Sequence, residues 1–372
     1  MPDRSLLDLS FDGLHDRLAD LPRYRVDQIW RGIFRDLGSS YDAITTLPQA
    51  LRARLSETIP FPIVEPIREN ESEDGRTEKT LFQLADGETI ESVTMRFRDR
   101  RTACVSSQVG CPVGCSFCST GQSGFVRNLT TGEIVAQVLH SAQRLRAAAE
   151  TLTHVVYMGM GEPFLNYDAT LASIRILNDP RGFRLGARSF TVSTAGIVPG
   201  IDRFAEEGIQ ANLAVSLHAA DDATRDRLVP VNRRYPTAEL FAACRRYADR
   251  THRRVTFEIT LFDGINDTEL HARAVAERLS ALLCHVNLIP YNETPDGAFV
   301  ASSAERIRTF AEILSHARIP VTIRHSMGSD IRAGCGQLRS EAEGEKRTDE
   351  STPATRSTDR GRRRAPAHPN GR

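Results

Sequence analysis

From residue 101 onward, strand-like and helix-like segments alternate six times, and this alternation limits the possible folds more than any other feature. Repeated β–α units place their strands side by side in a parallel sheet with right-handed crossovers. Six or seven units are too few for an eight-stranded barrel, so we expect an α/β fold with a partial, open (β/α)6 barrel. The predicted strands are 103–107, 154–160, 189–193, 211–217, 255–261, 285–289 and 320–324. The predicted helices are 130–149, 167–178, 200–207, 237–250, 268–283 and 304–316.

The preceding residues divide into two further regions. Residues 1–60 favour a small helical N-terminal domain, in which the segment 24–37 places one apolar face toward a core; that face comprises Val26, Ile29, Trp30, Ile33, Phe34 and Leu37. Residues 61–100 are expected to be a linker and a β-hairpin extension. Within them, 61–75 is rich in Pro, Glu and Asn and indicates a loop, and strands 79–84 and 89–97 flank a turn.

The remaining regions are a core domain over residues 101–340 and a C-terminal tail. Residues 341–372 contain almost no large apolar residue, so a disordered tail is expected there. The chain has no apolar run of 18 residues and no apolar N-terminal segment, which predicts a cytosolic protein that neither crosses a membrane nor is exported. Positive and negative side chains balance at 48 each, which argues against indiscriminate nucleic-acid binding.

Three cysteines, Cys111, Cys115 and Cys118, share one loop with the spacing C-x3-C-x2-C. Glycines and a proline keep that loop out of regular structure, so these residues are poor candidates for core packing. Three thiolates can bind a soft metal centre. A structural zinc ion needs a fourth ligand, and none is evident nearby. A [4Fe–4S] cluster held by three cysteines leaves one iron open to a cofactor or substrate, and we favour it over zinc.

Other unusual strings fall where predicted strands end. They are 159–163 (GMGEP), 193–196 (STAG), 216–218 (SLH) and 290–292 (PYN). The three-cysteine loop likewise follows the first predicted strand. Because β/α barrels carry their chemistry at the C-terminal ends of the strands, these strings predict a single binding cleft on that rim.

The other cysteines separate into two groups. Cys244 and Cys284 lie in or beside apolar stretches and are predicted to be core residues. Cys335 lies between glycines, which predicts a mobile, exposed loop, and Cys104 lies in the first predicted strand, seven residues before Cys111. Cys104 and Cys335 are therefore left for chemistry, and an open barrel could bring them together over its mouth.

Several motifs of this sequence resemble those of a known family. C-x3-C-x2-C with Phe117 before the last cysteine is the signature of the radical S-adenosylmethionine (SAM) superfamily. The string CVSSQVGC (104–111) and the later MGMGEP, SLH, NLIPYN and GCGQL, in this order, resemble the RlmN/Cfr family of RNA adenine methyltransferases. The resemblance covers roughly residues 10–340. MGMGEPFLN and the long N-terminal region look more like the RlmN branch.

The resemblance implies a radical-SAM barrel and two cofactors. One [4Fe–4S] cluster per chain would be held by Cys111, Cys115 and Cys118. The residues implied to contact SAM are Gly161, Glu162, Ser193, Ser216, Leu217, His218 and Asn292. Glu162 could meet the ammonium group of SAM, and His218 is expected to contribute through its segment rather than through a metal bond.

A reaction scheme is also implied by the resemblance. Cys335 would take a methyl group from one SAM, and a radical made from a second SAM would remove hydrogen from that methyl. The methylene would add to C2 of adenine, and Cys104 would resolve the adduct by forming a disulfide with Cys335. Glu91, in the hairpin, aligns with the proton acceptor of similar enzymes, although a lone acid in a strand usually faces solvent. Glu88 is the neighbouring alternative.

The implied partners are 23S rRNA, at an adenine of the peptidyl-transferase centre, and tRNA, at the adenosine 3′ of the anticodon. An electron donor such as a flavodoxin or ferredoxin is also implied, and a monomer is expected. The candidate RNA contacts are Arg23, Arg25, Arg31, Arg35, Arg96, Arg98, Arg100, Arg101, Arg225, Arg227, Arg233 and Arg234. Three alternatives stay open: Cfr-like methylation at C8, a radical-SAM activase of another protein, and a zinc-stabilised RNA-binding module.

Overall fold

A ten-stranded mixed sheet forms the centre of the protein. The structure, a computed structural model, describes residues 5–293, 299–324 and 326–338; the predicted tail lies outside this part. The strands are β1 (Val64–Glu71), β2 (Thr77–Leu84), β3 (Thr89–Arg96), β4 (Arg101–Cys104), β5 (Gln108–Gly110), β6 (Phe125–Asn128), β7 (His154–Tyr157), β8 (Phe190–Thr194), β9 (Asn212–Ser216), β10 (Val255–Leu261), β11 (Cys284–Pro290) and β12 (Val321–Ile323). The sheet order is β1-β2-β3-β4-β7-β8-β9-β10-β11-β12, and β5 and β6 form a separate ribbon.

Helices connect the parallel strands and cover one face of the sheet. They are α1 (Phe11–Arg17), α2 (Arg23–Phe34), α3 (Gln49–Thr58), α4 (Ser119–Gln122), α5 (Thr131–Ala147), α6 (Tyr167–Asn178), α7 (Val198–Glu206), α8 (Asp222–Leu228), α9 (Thr237–Thr251), α10 (Glu269–Leu279) and α11 (Ala304–His316). Strands β4 and β7 to β12 pair in parallel with their neighbours in chain order. The predicted partial (β/α)6 barrel is confirmed, and α4, α8 and the β5–β6 ribbon are additions to it.

The hairpin extension is confirmed, but the loop predicted over residues 61–75 is wrong. Val64–Glu71 is strand β1, which pairs antiparallel with β2 and breaks register between Pro66 and Arg68. Its side chains are mostly exposed, so it lacks the apolar alternation that marks a strand in sequence. Main-chain hydrogen bonds to β2 hold it at the sheet edge, where a proline is tolerated. Strand β3 then pairs antiparallel with β4.

The N-terminal helices pack on the barrel and share its apolar core. The predicted face of α2 is buried from Val26 to Phe34, with Trp30 stacked edge-on against Phe11 at 5.6 Å between ring centroids. The helix ends at Phe34, so Leu37, predicted to continue it, lies beyond the end at a positive φ of 56°. Within the described residues, no helix has the length and apolar character to cross a bilayer.

The barrel strands present alternate residues to two environments. On β10, Phe257 contacts Phe241 of α9, with 6.1 Å between ring centroids. Because successive side chains of a strand point to opposite faces, Glu258 faces the barrel interior. There it accepts a hydrogen bond of 2.8 Å from the side-chain amide of Asn287 on β11. The interior of the barrel is therefore partly polar, as a ligand-binding lumen requires.

Candidate active site

The three-cysteine loop (residues 111–118) is tied to the β5–β6 ribbon. The N–H of Cys111 donates to the carbonyl of Gly124 at 2.7 Å. Gly110, which precedes the loop, has a φ of 72°, and a Cβ there would lie 2.0 Å from the Gly124 oxygen. Burial, followed by the neighbouring thiols Cys118 and Cys111, raises the pKa of Cys115 well above its usual value. These mutual effects indicate that the three thiols converge.

The three-cysteine loop offers three soft sulfur donors, which suit zinc or an iron–sulfur cluster. A structural zinc site is closed by four protein ligands. The donor set, three thiols with no fourth protein ligand among them, is the one that leaves a cluster iron open.

The C-terminal loop (residues 326–338) carries Cys335 back to the three-cysteine loop. It is held by hydrogen bonds from Ser119 N to Gly336 O (2.8 Å), Thr120 Oγ1 to Leu338 O (2.6 Å) and Asn292 Nδ2 to Cys335 O (3.2 Å). Cys335 itself is exposed. The sequence predicts a mobile loop here, whereas the structure shows an exposed residue on a segment that is hydrogen-bonded at Cys335 itself and just after it.

Cys104 and Cys335, far apart in sequence, lie near each other in the barrel mouth. Cys104 ends β4 and is 9% exposed. Burial and then the charge of Cys335 raise the pKa of the Cys104 thiol. Although Cys335 is exposed as a residue, the protein atoms around its thiol desolvate the thiolate and raise its pKa, and the charges of Glu258 and of Cys118 in the three-cysteine loop add to this effect. Cys335 thus adjoins the candidate cluster site, and Cys104 adjoins Cys335.

The GMGEP string packs the end of β7 against β5. Both oxygens of Glu162 accept main-chain hydrogen bonds, from Phe164 at 3.0 Å and from Ala195 at 2.6 Å. Burial raises the pKa of Glu162 to about 7, and its charge raises the pKa of two thiols of the three-cysteine loop. At Gly161, φ is 100° and a Cβ would lie 2.6 Å from the side chain of Gln108. The string therefore lies beside the three-cysteine loop, as its place in the sequence predicts.

The remaining SAM-contact candidates lie at the ends of β8, β9 and β11. Ser193 and Ser216 are half-buried, while Leu217 and Asn292 are buried. His218 has a φ of 58°, and its Nδ1 accepts the N–H of Thr260 at 3.1 Å. Burial lowers the pKa of His218 to about 3, with a further effect of the nearby arginine. His218 is therefore neutral, and its Nδ1 is bonded to the main chain of β10.

Glu91 is completely buried, unlike a typical strand acid. Its carboxylate lies 3.0 Å from the ammonium of Lys79 on β2, and both side chains are at most 3% exposed. Its alternative, Glu88, is half-buried in the hairpin turn. Lys79 has no distinguishing signal in the sequence, because only the β2–β3 register reveals which residues pair.

Arg225 is wrong as a candidate RNA contact. It is fully buried, and its guanidinium donates to the carbonyls of Leu217 (3.0 Å) and Ala195 (2.6 Å) and to the side chain of Asn232 (2.8 Å). Burial lowers the pKa of Arg225 to about 10. Its role is to join the ends of β8 and β9, and a buried guanidinium with these partners cannot reach a phosphate.

The other arginines predicted to contact RNA differ in exposure and in ion pairing. Arg96 and Arg101 both pair with Glu150 and are less than one-third exposed, so their charges serve the fold. By contrast, Arg227, Arg233 and Arg234 are exposed. Arg227 also adjoins the three-cysteine loop, because the hydroxyl of Ser116 donates to its carbonyl at 2.9 Å. The exposed N-terminal candidates are Arg23, Arg31 and Arg35, with Arg25 half-buried.

An open β/α barrel with a three-cysteine loop after its first parallel strand defines a radical SAM protein. Residues 105–274 match the family model described as the Radical SAM superfamily. A solved radical SAM methyltransferase from Sphaerobacter thermophilus is 54% identical, with a TM-score of 0.89 over 91% of this chain and 99% of that one.

Curated relatives define the group more narrowly. A "Probable dual-specificity RNA methyltransferase RlmN" of Chloroflexus aurantiacus is 47% identical over 91% of this chain and 93% of its own. The "Dual-specificity RNA methyltransferase RlmN 1" of Myxococcus xanthus is 45% identical over 86% of this chain and 89% of its own. The chain belongs to the RlmN family of radical SAM RNA methyltransferases. The predicted enzyme class and its two cofactors, a [4Fe–4S] cluster and SAM, are confirmed at this level.

Proposed function

We propose that this enzyme methylates C2 of adenine in 23S rRNA, at the peptidyl-transferase centre, and of the adenosine 3′ of the tRNA anticodon. Two RNA substrates are in keeping with the words "dual-specificity" in the names of its relatives. One SAM would donate the methyl group, and a second would be consumed in activating it.

The observation that carries this proposal is the neighbourhood of Cys104 and Cys335 beside the three-cysteine loop. An ordinary methyl transfer needs no thiol, because SAM itself is the electrophile and adenine the nucleophile. Adenine C2 is a poor nucleophile, so the carbon has to be carried on an enzyme group first. A second thiol is then needed to release that carbon, and the barrel mouth supplies both.

In the first half-reaction, Cys335 loses its proton to solvent and its sulfur attacks the methyl carbon of SAM. The new S–C bond forms as the bond from that carbon to the sulfonium breaks, and S-adenosylhomocysteine leaves. The exposure of Cys335 lets SAM and RNA reach it in turn. Asn292, hydrogen-bonded to the Cys335 carbonyl at 3.2 Å, orients the loop that carries the thiol.

When bound to Cys111, Cys115 and Cys118, the cluster supplies with SAM the one-electron chemistry that removes a hydrogen atom from the methyl on Cys335. That carbon bonds to adenine C2. Glu91 accepts the C2 proton, and the unpaired electron of the adduct leaves to a one-electron carrier such as a flavodoxin or ferredoxin.

Cys104 then attacks the sulfur of Cys335. A disulfide forms, the bond between that sulfur and the methylene carbon breaks, and the carbon keeps the electron pair and takes a proton from water. The product is a methyl group on C2. A thiol reductant must reopen the disulfide before the next turnover.

Substrate RNA has to present an unstacked adenine to this mouth. We infer that phosphates are gripped by the exposed Arg227, Arg233 and Arg234, with the arginine-bearing N-terminal helices as an accessory RNA-binding domain.

The test is product analysis. Anaerobically reconstituted enzyme is incubated with SAM, a reductant and either a 23S rRNA fragment or tRNA. The RNA is digested to nucleosides, which are separated by chromatography and identified by mass spectrometry. The proposal expects 2-methyladenosine from both RNAs, none from Cys335→Ala, and unchanged yield from Cys284→Ala, whose thiol is 7% exposed at the start of β11. 8-Methyladenosine, the Cfr-like product, would contradict the assignment to C2.

A further inference from the structure

Lys79 and Glu91 form a buried ion pair between the neighbouring strands β2 and β3. Their charged atoms are 3.0 Å apart, with the side chains 3% and 1% exposed. Lys79 pairs in register with Val93, and Glu91 lies two residues before Val93, so the two charges are diagonal neighbours on one face of the sheet. Val93 in turn pairs with Cys104. Lys79, Glu91 and Cys104 therefore share the face that lines the barrel interior.

The main chain of Glu91 is fixed from two sides. Its carbonyl accepts a hydrogen bond of 2.6 Å from the hydroxyl of Ser106, on the segment between β4 and β5. Its N–H points at the sulfur of Met160, 3.3 Å away, in the turn after β7. The carboxylate is thus placed between the strand that bears Cys104 and the string that ends β7.

The residue before Lys79 on β2 is also charged, but its ion pair lies in a different environment. Glu78 points to the opposite face, where it pairs with Arg144 at 2.9 Å, and that arginine is 46% exposed. A pair with one partner in solvent costs less, whereas burying both charges of a pair carries a desolvation cost that their attraction does not always repay. A buried pair is therefore weak evidence for stability, and a role in chemistry explains its position better.

We propose that Lys79 is a positioning residue that keeps Glu91 ionised, and aimed into the barrel mouth, for removal of the adenine C2 proton. This inference rests on the proposed function. An isolated carboxylate in a dry lumen takes up a proton and can no longer act as a base. The adjacent ammonium, in contrast, stabilises the carboxylate form without itself touching the substrate.

In the step concerned, the C2–H bond breaks and its electron pair stays in the purine ring. The proton passes to a carboxylate oxygen of Glu91, while the unpaired electron of the adduct leaves to the one-electron carrier. The proton then moves to water, and the ion pair with Lys79 re-forms. Lys79 takes no part in methylation of Cys335, which precedes RNA attack.

The test follows single turnovers of Lys79→Met, Glu91→Gln and the double variant in the reconstituted full chain. Four quantities are measured: methyl on Cys335, released 5′-deoxyadenosine, covalent RNA–protein adduct on a denaturing gel, and 2-methyladenosine. The matched control is Arg144→Met. It removes the cation that α5 contributes to the ion pair with Glu78, which lies on the opposite face of β2 from Lys79. Thermal unfolding checks the folding of every variant, and Lys79→Gln replaces Lys79→Met if the latter does not fold.

We expect Lys79→Met to keep Cys335 methylation and 5′-deoxyadenosine, to accumulate adduct and to release 2-methyladenosine about 100-fold more slowly. Glu91→Gln should behave alike, and the double variant should be no slower than either single variant. Release at the wild-type rate, or loss of Cys335 methylation together with product, would overturn the role of Lys79. Failure of the proposed function looks different, because wild type itself would then form no 2-methyladenosine.

Discussion

Two pairs of neighbouring cysteines occupy this barrel, and their surroundings differ. Cys104 and Cys335 meet in the mouth, one at a strand end and the other exposed on an anchored loop. Cys244 and Cys284 also lie close enough for Cys284 to raise the pKa of Cys244, which burial raises first. They are 0% and 7% exposed, inside α9 and at the start of β11. Proximity of two thiols is thus not sufficient for chemistry; the exposure of Cys335 and its position beside the three-cysteine loop distinguish the first pair from the second.

The largest difference between the two pairs is expected when one thiol is removed from each. Cys104→Ala should lower multiple-turnover formation of 2-methyladenosine by about 1,000-fold, because the carbon on Cys335 can no longer be released, and covalent RNA adduct should accumulate. Cys244→Ala should leave the turnover rate unchanged. Both are measured by nucleoside mass spectrometry beside a denaturing gel. Equal losses in the two variants would refute a division of labour between the pairs.

Arg225 lies between the two regions, since its charge interacts with Cys115 of the loop and with Cys244 of the core. Arg225→Met leaves buried carbonyls without donors, so the free energy of unfolding should fall by about 3 kcal/mol. Chemical denaturation measures this loss, with the exposed Arg227→Met as the matched control, expected within about 0.5 kcal/mol of wild type. A loss below 1 kcal/mol for Arg225→Met would contradict a structural role for this residue.

Access can also be measured directly. Iodoacetamide should alkylate Cys335 on the order of tenfold or more faster than Cys244 in the folded enzyme, because a buried thiol reacts only after local opening. Peptide mass spectrometry over time provides the two rates, and denatured enzyme provides the reference in which the difference disappears. Similar rates in the folded state would mean that the mouth is not open to small reagents at Cys335.

The smallest effect concerns core packing. Cys244→Ala removes only a buried sulfur, so unfolding should become easier by about 1 kcal/mol. Cys335→Ala, at an exposed position, should change stability by less than about 0.5 kcal/mol. Thermal unfolding of both variants checks the order. A larger stability loss at Cys335 would show that its side chain supports the fold as well as the chemistry.

Sequence patterns predicted most of the barrel, because its parallel strands and their helices carry clear apolar periodicity. The exposed strand β1 was missed, since main-chain pairing with β2 rather than side-chain burial stabilises it. Helix α8 is short and polar, and its start at Asp221, whose side chain accepts the N–H of Thr224 at 2.8 Å, was the one available signal.

Sequence motifs indicated which segments form the candidate site, but not which side chains contact one another there. The strings at the strand ends identified the rim because chemistry collects there in barrels. The burial of Arg225 and the pairing of Lys79 with Glu91 depend on which strands and loops meet, and one sequence does not contain that information. An arginine in a polar segment looks the same whether it meets a phosphate or three main-chain carbonyls.

The central claim is that Cys335 carries the transferred carbon and Cys104 releases it. The most direct test is to let Cys104→Ala react once with RNA, digest protein and RNA, and locate the adduct by tandem mass spectrometry. We expect a methylene-bridged adenosine on the peptide that contains Cys335. An adduct on any other residue, or free 2-methyladenosine at the wild-type rate with no adduct, would contradict it.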